Sequence, residues 1–177
     1  MNEAVKVYSN AIFQLGIEEH QLDAIHQDLK SCANIFNAEP EFLTILSSPI
    51  VSNKEKISLL QTAFEGNCNN LVYNFMCLLV EKHRINIISE IQKDFTTQYN
   101  KYNNIVQAEV ITCIPLSEEL RNKIVEKLCK ITNKKVSIVE TVDKSILGGV
   151  VVKYDNTIID DSVKTKFAEL SKQLHKH

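Results

Sequence analysis

The chain has 177 residues, 44% of them hydrophobic and 24% charged, with a formal net charge of -2. That length buries a sizeable core as one medium domain or two small ones, and the near-average composition excludes disordered and fibrous classes. No apolar run approaches the roughly 20 residues that a bilayer-spanning helix needs, Phe75 to Val80 being the best, so no membrane insertion is expected.

From the start to about Tyr102 the apolar residues recur at helical spacing. Ala4, Tyr8, Ala11, Ile12 and Leu15 define a first helix, with Gly16 expected to end it. Leu22, Ile25, Leu29, Cys32 and Phe36 define a second of about five turns. Pro40 suits the first turn of a short third helix through Phe42, Leu43 and Leu46, and Pro49 prevents its continuation. Ser52-Asn53-Lys54-Glu55 reads as a capping box opening a fourth helix through Ile57, Leu60 and Phe64. After the break at Gly66-Asn67, Leu71 to Val80 form a very apolar fifth helix, and Ile85, Ile88, Ile91, Phe95 and Tyr99 stripe a sixth. Six helices with short joints imply a compact bundle over residues 1–104.

Past Asn104 the period changes to two. Val106, Ala108, Val110, Thr112 and Ile114 alternate with polar residues as a strand does. Ser117 caps a helix whose first turn holds Glu118 and Glu119, with Leu120, Ile124, Leu128 and Ile131 facing its core. Val136, Ile138 and Val142 mark a second strand. Val150 to Tyr154 and Thr157 to Ile159 form a hairpin about Asp155-Asn156, and Val163, Phe167, Leu170 and Leu174 stripe a last helix. Residues 105–177 are thus expected to be a small α/β domain with a short mixed sheet, giving a mainly α protein overall.

Charge divides along the same line. Residues 1–104 carry 8 basic against 12 acidic side chains, and residues 105–177 carry 12 against 10. An acidic first half is a poor match to a phosphate backbone, so nucleic acid is not an expected partner. Cys32, Cys68, Cys77, Cys113 and Cys129 form no C-x-x-C pair, and the odd count argues against a disulfide framework. His20, His26 and His83 lack zinc-site spacing, so neither metal nor cofactor is expected. Met1 to Lys6 has the build of neither a signal nor a transit peptide.

Three motifs resemble the delta subunit family of F-type ATP synthases, the bacterial counterpart of the mitochondrial oligomycin-sensitivity-conferring protein. Tyr8-Ser9-Asn10-Ala11-Ile12-Phe13 is similar to the family's Tyr-Ala-x-Ala-hydrophobic-Phe opening, with Ser9 and Asn10 departing toward polar residues. Phe75 to Arg84 is similar to its apolar helix that ends in charge and Arg. Val142 to Val163 is the closest match, with Lys144 where Pro is frequent and Asp161 where Gly is frequent. The resemblance implies a non-catalytic connector: the bundle grips N-terminal segments of the alpha subunits, with beta as a further contact, and the α/β half meets the b-subunit stalk. It also implies a location on the cytoplasmic side of the bacterial inner membrane, peripheral through the complex. Arg84, retained in the family, is expected to pair with an acid at the joint after the fifth helix.

The first helix is apolar on more than one stripe and the fifth almost all round, more than a bundle core requires. The resemblance puts a partner-helix groove between them, at Tyr8, Ala11, Ile12, Leu15, Asn74, Phe75 and Leu78. The remaining chemical-looking residues have plainer roles. Gly148-Gly149 lacks the Lys and Ser or Thr of a phosphate loop and suits a tight hairpin entry. Asp143, Asp160 and Asp161 suit turn and helix caps better than a carboxylate site. Glu81 to Arg84 suits a solvated joint better than an acid-base cluster about His83. Two other classes make different demands on the sequence. A helical-bundle regulatory or nucleic-acid-binding protein calls for a basic stripe, and a small enzyme for convergent polar groups in a pocket.

Overall fold

A computed structural model describes residues 3–155, 157–165 and 167. The chain divides into two compact units, Met1–Tyr99 and Asn100–His177. It is mostly helical with a four-stranded mixed sheet toward the C-terminal end.

The first unit holds α1 (Glu3–Glu18), α2 (Leu22–Ala38), α3 (Pro40–Ser47), α4 (Asn53–Phe64), α5 (Asn70–Glu81) and most of α6 (Ile88–Tyr102). A single core joins Val5 and Ile12 of α1, Ile25, Leu29 and Phe36 of α2, Leu60 and Phe64 of α4, Val72, Phe75, Met76, Leu79 and Val80 of α5, and Ile88, Ile91 and Phe95 of α6. The expected start of the last helix is modified: Ile85–Ile87 is a 3-10 turn that buries Ile85 and Ile87 before α6 begins.

Helix ends follow local chemistry. Pro40 stands in the first turn of α3. At α4 the Glu55 amide donates to Ser52 Oγ (3.3 Å) while Glu55 Oε2 accepts from the Ser52 amide (3.0 Å), completing the box. Gly16 does not end α1. It lies two residues inside the helix, buried, where a Cβ would sit 3.0 Å from Leu22 Cδ1 and 3.2 Å from Ile25 Cδ1. Its role is to let α2 approach.

The stop is made by His20, left-handed at φ 53°, with Gln21 N–H donating to Gly16 O (3.0 Å) and His20 N–H to Ile17 O (3.2 Å). His83 closes α5 in the same way, with Arg84 N–H on Leu79 O (2.7 Å) and His83 N–H on Val80 O (3.0 Å). Both are Schellman endings with a histidine where glycine is usual.

In the second unit β1 (Ile105–Thr112) leads through α7 (Glu118–Thr132) to β2 (Lys135–Val142), then β3 (Val150–Tyr154) and β4 (Thr157–Asp160). The sheet order is β2-β1-β3-β4, with β1 and β2 parallel and the other pairs antiparallel. Ala108, Val110, Val152 and Leu128 form its core, with Ile124, Val136 and Ile138 packed against them.

Two readings are corrected here. Ile114 lies beyond the strand and is exposed, because the chain turns where Thr112 Oγ1 donates to Ile114 O (2.8 Å). Leu120 and Ile131 are exposed rather than core-facing, since they lie near the two ends of α7 and only its middle is covered. Asn156 of the hairpin turn and Leu170 and Leu174 of the last stripe lie outside the described residues.

Candidate interaction groove

Polar ties brace the helices that carry the groove. His26 of α2 stacks on Tyr99 of α6 (centroids 4.0 Å apart, planes 7° apart) and its Nε2 lies 3.3 Å from Thr96 Oγ1. Tyr99 donates its hydroxyl to Asp23 Oδ1 (2.7 Å), which raises the phenol pKa, and Gln98 Nε2 donates to Ser9 Oγ of α1 (2.7 Å). Burial, and secondarily the Lys30 ammonium, push the His26 pKa below its ordinary value against a smaller opposing pull from Asp23. The start of α5 is tied to α2: the Asn69 amide donates to Asp28 Oδ2 (2.7 Å), and Asn69 Oδ1 accepts from the Leu71 amide (2.8 Å).

With α1 held on this side, its other flank meets α5. The rings of Tyr8 and Phe75 meet edge to face with centroids 6.3 Å apart. Of the seven residues named for the groove, Ile12 and Phe75 are buried at 2% and 8% exposure and belong to the unit's own core. Tyr8 is half-buried, while Ala11, Asn74, Leu15 (36% exposed) and Leu78 (39%) reach the surface. Ile12 and Phe75 therefore support a floor that the other five can line.

The surplus apolar residues of α1 split in two. Val5 is buried and Phe13 packs edge to face on Phe95 (5.6 Å), serving the core, whereas Val7 is 61% exposed beside the groove flank. Leu71, half-buried one turn before Asn74, was not singled out from the sequence, although the spacing from Leu78 could have found it.

Burial, with Cys68 and Asp28 nearby, pushes the Cys32 thiol up to about 12, and burial also raises Cys68 and Cys77, so these sulfurs stay protonated and weakly nucleophilic. No group of three His, Cys, Asp or Glu suited to a metal occurs among the described residues. Asp143 Oδ1 accepts from the Ser145 amide (2.8 Å), which holds that carboxyl below its ordinary pKa, and the Ser162 side chain, the Thr165 hydroxyl (2.7 Å to Oδ2) and the Ser162 amide (2.9 Å to Oδ1) do the same for Asp160. Arg84 forms no ion pair among the described residues, contrary to expectation; its backbone position closes α5 instead.

The segment before β3 is a tight pin. Gly149 has φ +87°, and a Cβ there would collide with the Asp161 carbonyl oxygen and lie 2.8 Å from Ser162 Cα. Val150 O accepts from the Asp161 amide (2.9 Å) and Gly148 O from the Val163 amide (3.0 Å). The glycine pair thus admits the chain that follows β4, and no phosphate cradle is formed.

Comparison with known proteins turns this arrangement into a family. The model of the ATP synthase delta (OSCP) subunit matches residues 4–174. The chain belongs to that family. The ATP synthase subunit delta of Clostridioides difficile (strain 630) is 34% identical over 175 residues, covering 98% of this chain and 97% of the relative. That of Caldanaerobacter subterraneus subsp. tengcongensis is 34% identical over 169 residues, covering 96% and 94%. A chain in the cryo-EM structure of the Toxoplasma gondii mitochondrial ATP synthase hexamer shares the fold, with a TM-score of 0.72 over 98% of both chains at 23% identity. The delta family is a structural, non-catalytic component of the F-type ATP synthase, a membrane-associated complex. No helix among the described residues is long and apolar enough to cross a membrane.

Proposed function

We propose that this chain is the connector between the catalytic head and the peripheral stalk of an F-type ATP synthase. In this reading residues 1–104, a six-helix bundle, hold an N-terminal helix of an alpha subunit against Tyr8, Ala11, Ile12, Leu15, Asn74, Phe75 and Leu78. Residues 105–177 hold the b subunit, and the chain works on the cytoplasmic side of the inner membrane with no direct insertion. Held at both points, the head stays still while the rotor turns, so that proton flow drives ATP synthesis.

The observation that carries the reading is the family match over residues 4–174, joined to an α1–α5 surface that keeps apolar side chains outside its own core.

Magnitude bears on how the grip works. Full burial of a Leu or Val yields roughly 1.5–3 kcal/mol, and Val7, Leu15 and Leu78 retain only 61%, 36% and 39% exposure. Together they have about 3 kcal/mol left to contribute, with a comparable amount on the partner, against an association cost estimated at about 4–15 kcal/mol. One groove gives modest affinity. Attachment through two separate sites raises effective concentration and makes the joint durable.

The test is calorimetric titration of the full chain with a synthetic peptide of the alpha subunit's N-terminal helix. Tyr8→Asp and Leu78→Asp should each weaken binding at least tenfold, because a carboxylate would lose water in an apolar groove. Undiminished binding by both folded variants would remove the groove from the head contact.

A further inference from the structure

The groove flank is apolar except at one position. On α5, Leu71, Asn74 and Leu78 follow one another at three- and four-residue steps beside Phe75, and on α1 Ala4, Tyr8, Ala11 and Leu15 do so beside the buried Val5 and Ile12. Asn74 is exposed, and its amide hydrogen-bonds to nothing among the described residues. Beyond the α1 stripe stand two exposed carboxylates, Glu18 and Glu19, three and four residues after Leu15, and neither forms an ion pair among the described residues, whereas at the end of α5 Glu81 is offset by the exposed Lys82 and Arg84.

A helix lying over these stripes takes Asn74 out of water. An amide covered by an apolar side chain forfeits its hydrogen bonds, whereas one met by another amide or a hydroxyl keeps them. The difference can choose a register. α5 has 12 residues, about 18 Å of helix at a rise of 1.5 Å, so several one-turn shifts would pack its apolar side chains about equally well. Only one of them pairs a given polar side chain with Asn74. A single buried Asn fixes register in coiled coils by the same logic, at some cost in stability. The Glu18 and Glu19 carboxylates add charge complementarity toward a helix with a basic flank at that end.

We propose that Asn74 sets the register of the bound helix, an amphipathic segment with one basic flank, opposite Glu18 and Glu19, whose apolar stripe is broken once, opposite Asn74, by an amide or hydroxyl side chain. This rests on the groove reading given above. Asn74 acts as a specificity residue, and the apolar neighbours supply the contact area.

The probe is the alpha-subunit N-terminal peptide, unaltered and with each polar residue of its apolar stripe replaced singly by Leu, titrated against the full chain with folding followed by circular dichroism. Asn74→Leu should weaken the unaltered peptide about tenfold, the effect of leaving its polar group unpaired. One Leu-substituted peptide should bind Asn74→Leu to within about twofold of the original pair while binding the unchanged protein more weakly, the coupling expected of a direct contact. Glu18→Gln with Glu19→Gln should weaken binding several-fold at low salt and not at high salt.

The proposal is overturned if Asn74→Leu binds the unaltered peptide as tightly as the unchanged protein does, or if no peptide substitution couples to it. An unchanged affinity of the double Gln variant removes the basic flank. Leu78→Asp separates the two levels. If it abolishes binding while Asn74→Leu does nothing, the register falls and the groove stands; if it too binds undiminished, both fall.

Discussion

Replacing Gly149 with Ala should unfold the second unit's hairpin entry, and the size of the loss can be worked from its geometry. The backbone there has φ +87°, which costs a residue with a Cβ roughly 1–2 kcal/mol. The new Cβ would meet the Asp161 carbonyl and Ser162 Cα, both backbone, so the segment after β4 must move away. That movement loosens the Asp161–Val150 and Val163–Gly148 hydrogen bonds, each worth roughly 0.5–1.5 kcal/mol. The total is about 2–5 kcal/mol, a large part of a small domain's stability. Gly148→Ala is the control, because its Cβ would meet only the tip of the Val163 side chain at 3.2 Å, which is half-exposed and can give way. Its expected cost is below about 1 kcal/mol. Urea unfolding of the full chain, followed by far-ultraviolet circular dichroism and tyrosine fluorescence, measures both. Losses for the two variants within about 0.5 kcal/mol of each other, the range of an ordinary surface change, would refute the close-approach argument.

Three further perturbations test the first unit. Ser52→Ala removes the hydroxyl that accepts from the Glu55 amide and donates to Glu55 Oε2, leaving the Ser52 backbone half of the α4 capping box, and should cost about 1 kcal/mol by thermal or urea unfolding. Lys56 is 1% exposed on the core-facing side of α4, with no ion pair among the described residues, so Lys56→Met should keep the packing of the stem and raise the urea midpoint. His26 has a lowered pKa in the fold, so the unfolded chain takes up its proton first. Stability should hold above the ordinary histidine value near pH 6.5, fall as pH drops from there to the folded-state pKa, and then level off. Urea midpoints of the native chain and His26→Asn across that interval should converge toward acid. Parallel curves would assign the loss to other groups.

Element type was legible wherever period and capping chemistry agreed. The Ser52–Glu55 box, Pro40 at the start of α3 and the two-residue period of β1 are local signals, and the structure follows them. What escaped depends on neighbours distant in sequence. Gly16 looks like a helix stop, yet α2 packs onto it, and His20 and His83 adopt a left-handed ending that glycine more often supplies. Leu120 and Ile131 have the right spacing for a buried stripe, but spacing does not say where the covering sheet stops. For the groove, helical spacing identified a surplus of apolar side chains on α1 without saying which served the core. Phe13 turns toward Phe95, and Tyr8 toward Phe75.

The division between floor and lining bears on how the proposed contact would serve under torque. Ile12 and Phe75 are packed into the core, and α1, α2 and α6 are cross-braced by the Ser9–Gln98, His26–Tyr99 and Asp23–Tyr99 contacts. A surface so supported loses little conformational freedom when a helix settles on it, which lowers the cost of association without adding contact area. Its remaining apolar exposure limits affinity, as the figures for Val7, Leu15 and Leu78 require. Rigidity then does what area does not. In the proposed reading a preorganised groove would transmit load through buried residues ordered before the partner arrives, and attachment at a second site would keep the released helix near enough to rebind. Weakening the brace should therefore lower the affinity for the alpha-subunit peptide even though no groove residue changes. Gln98→Ala, which leaves Ser9 buried without the donor it accepts from, is the variant to compare with the native chain. An unaltered affinity in a folded Gln98→Ala protein would mean that the groove holds its shape without the brace.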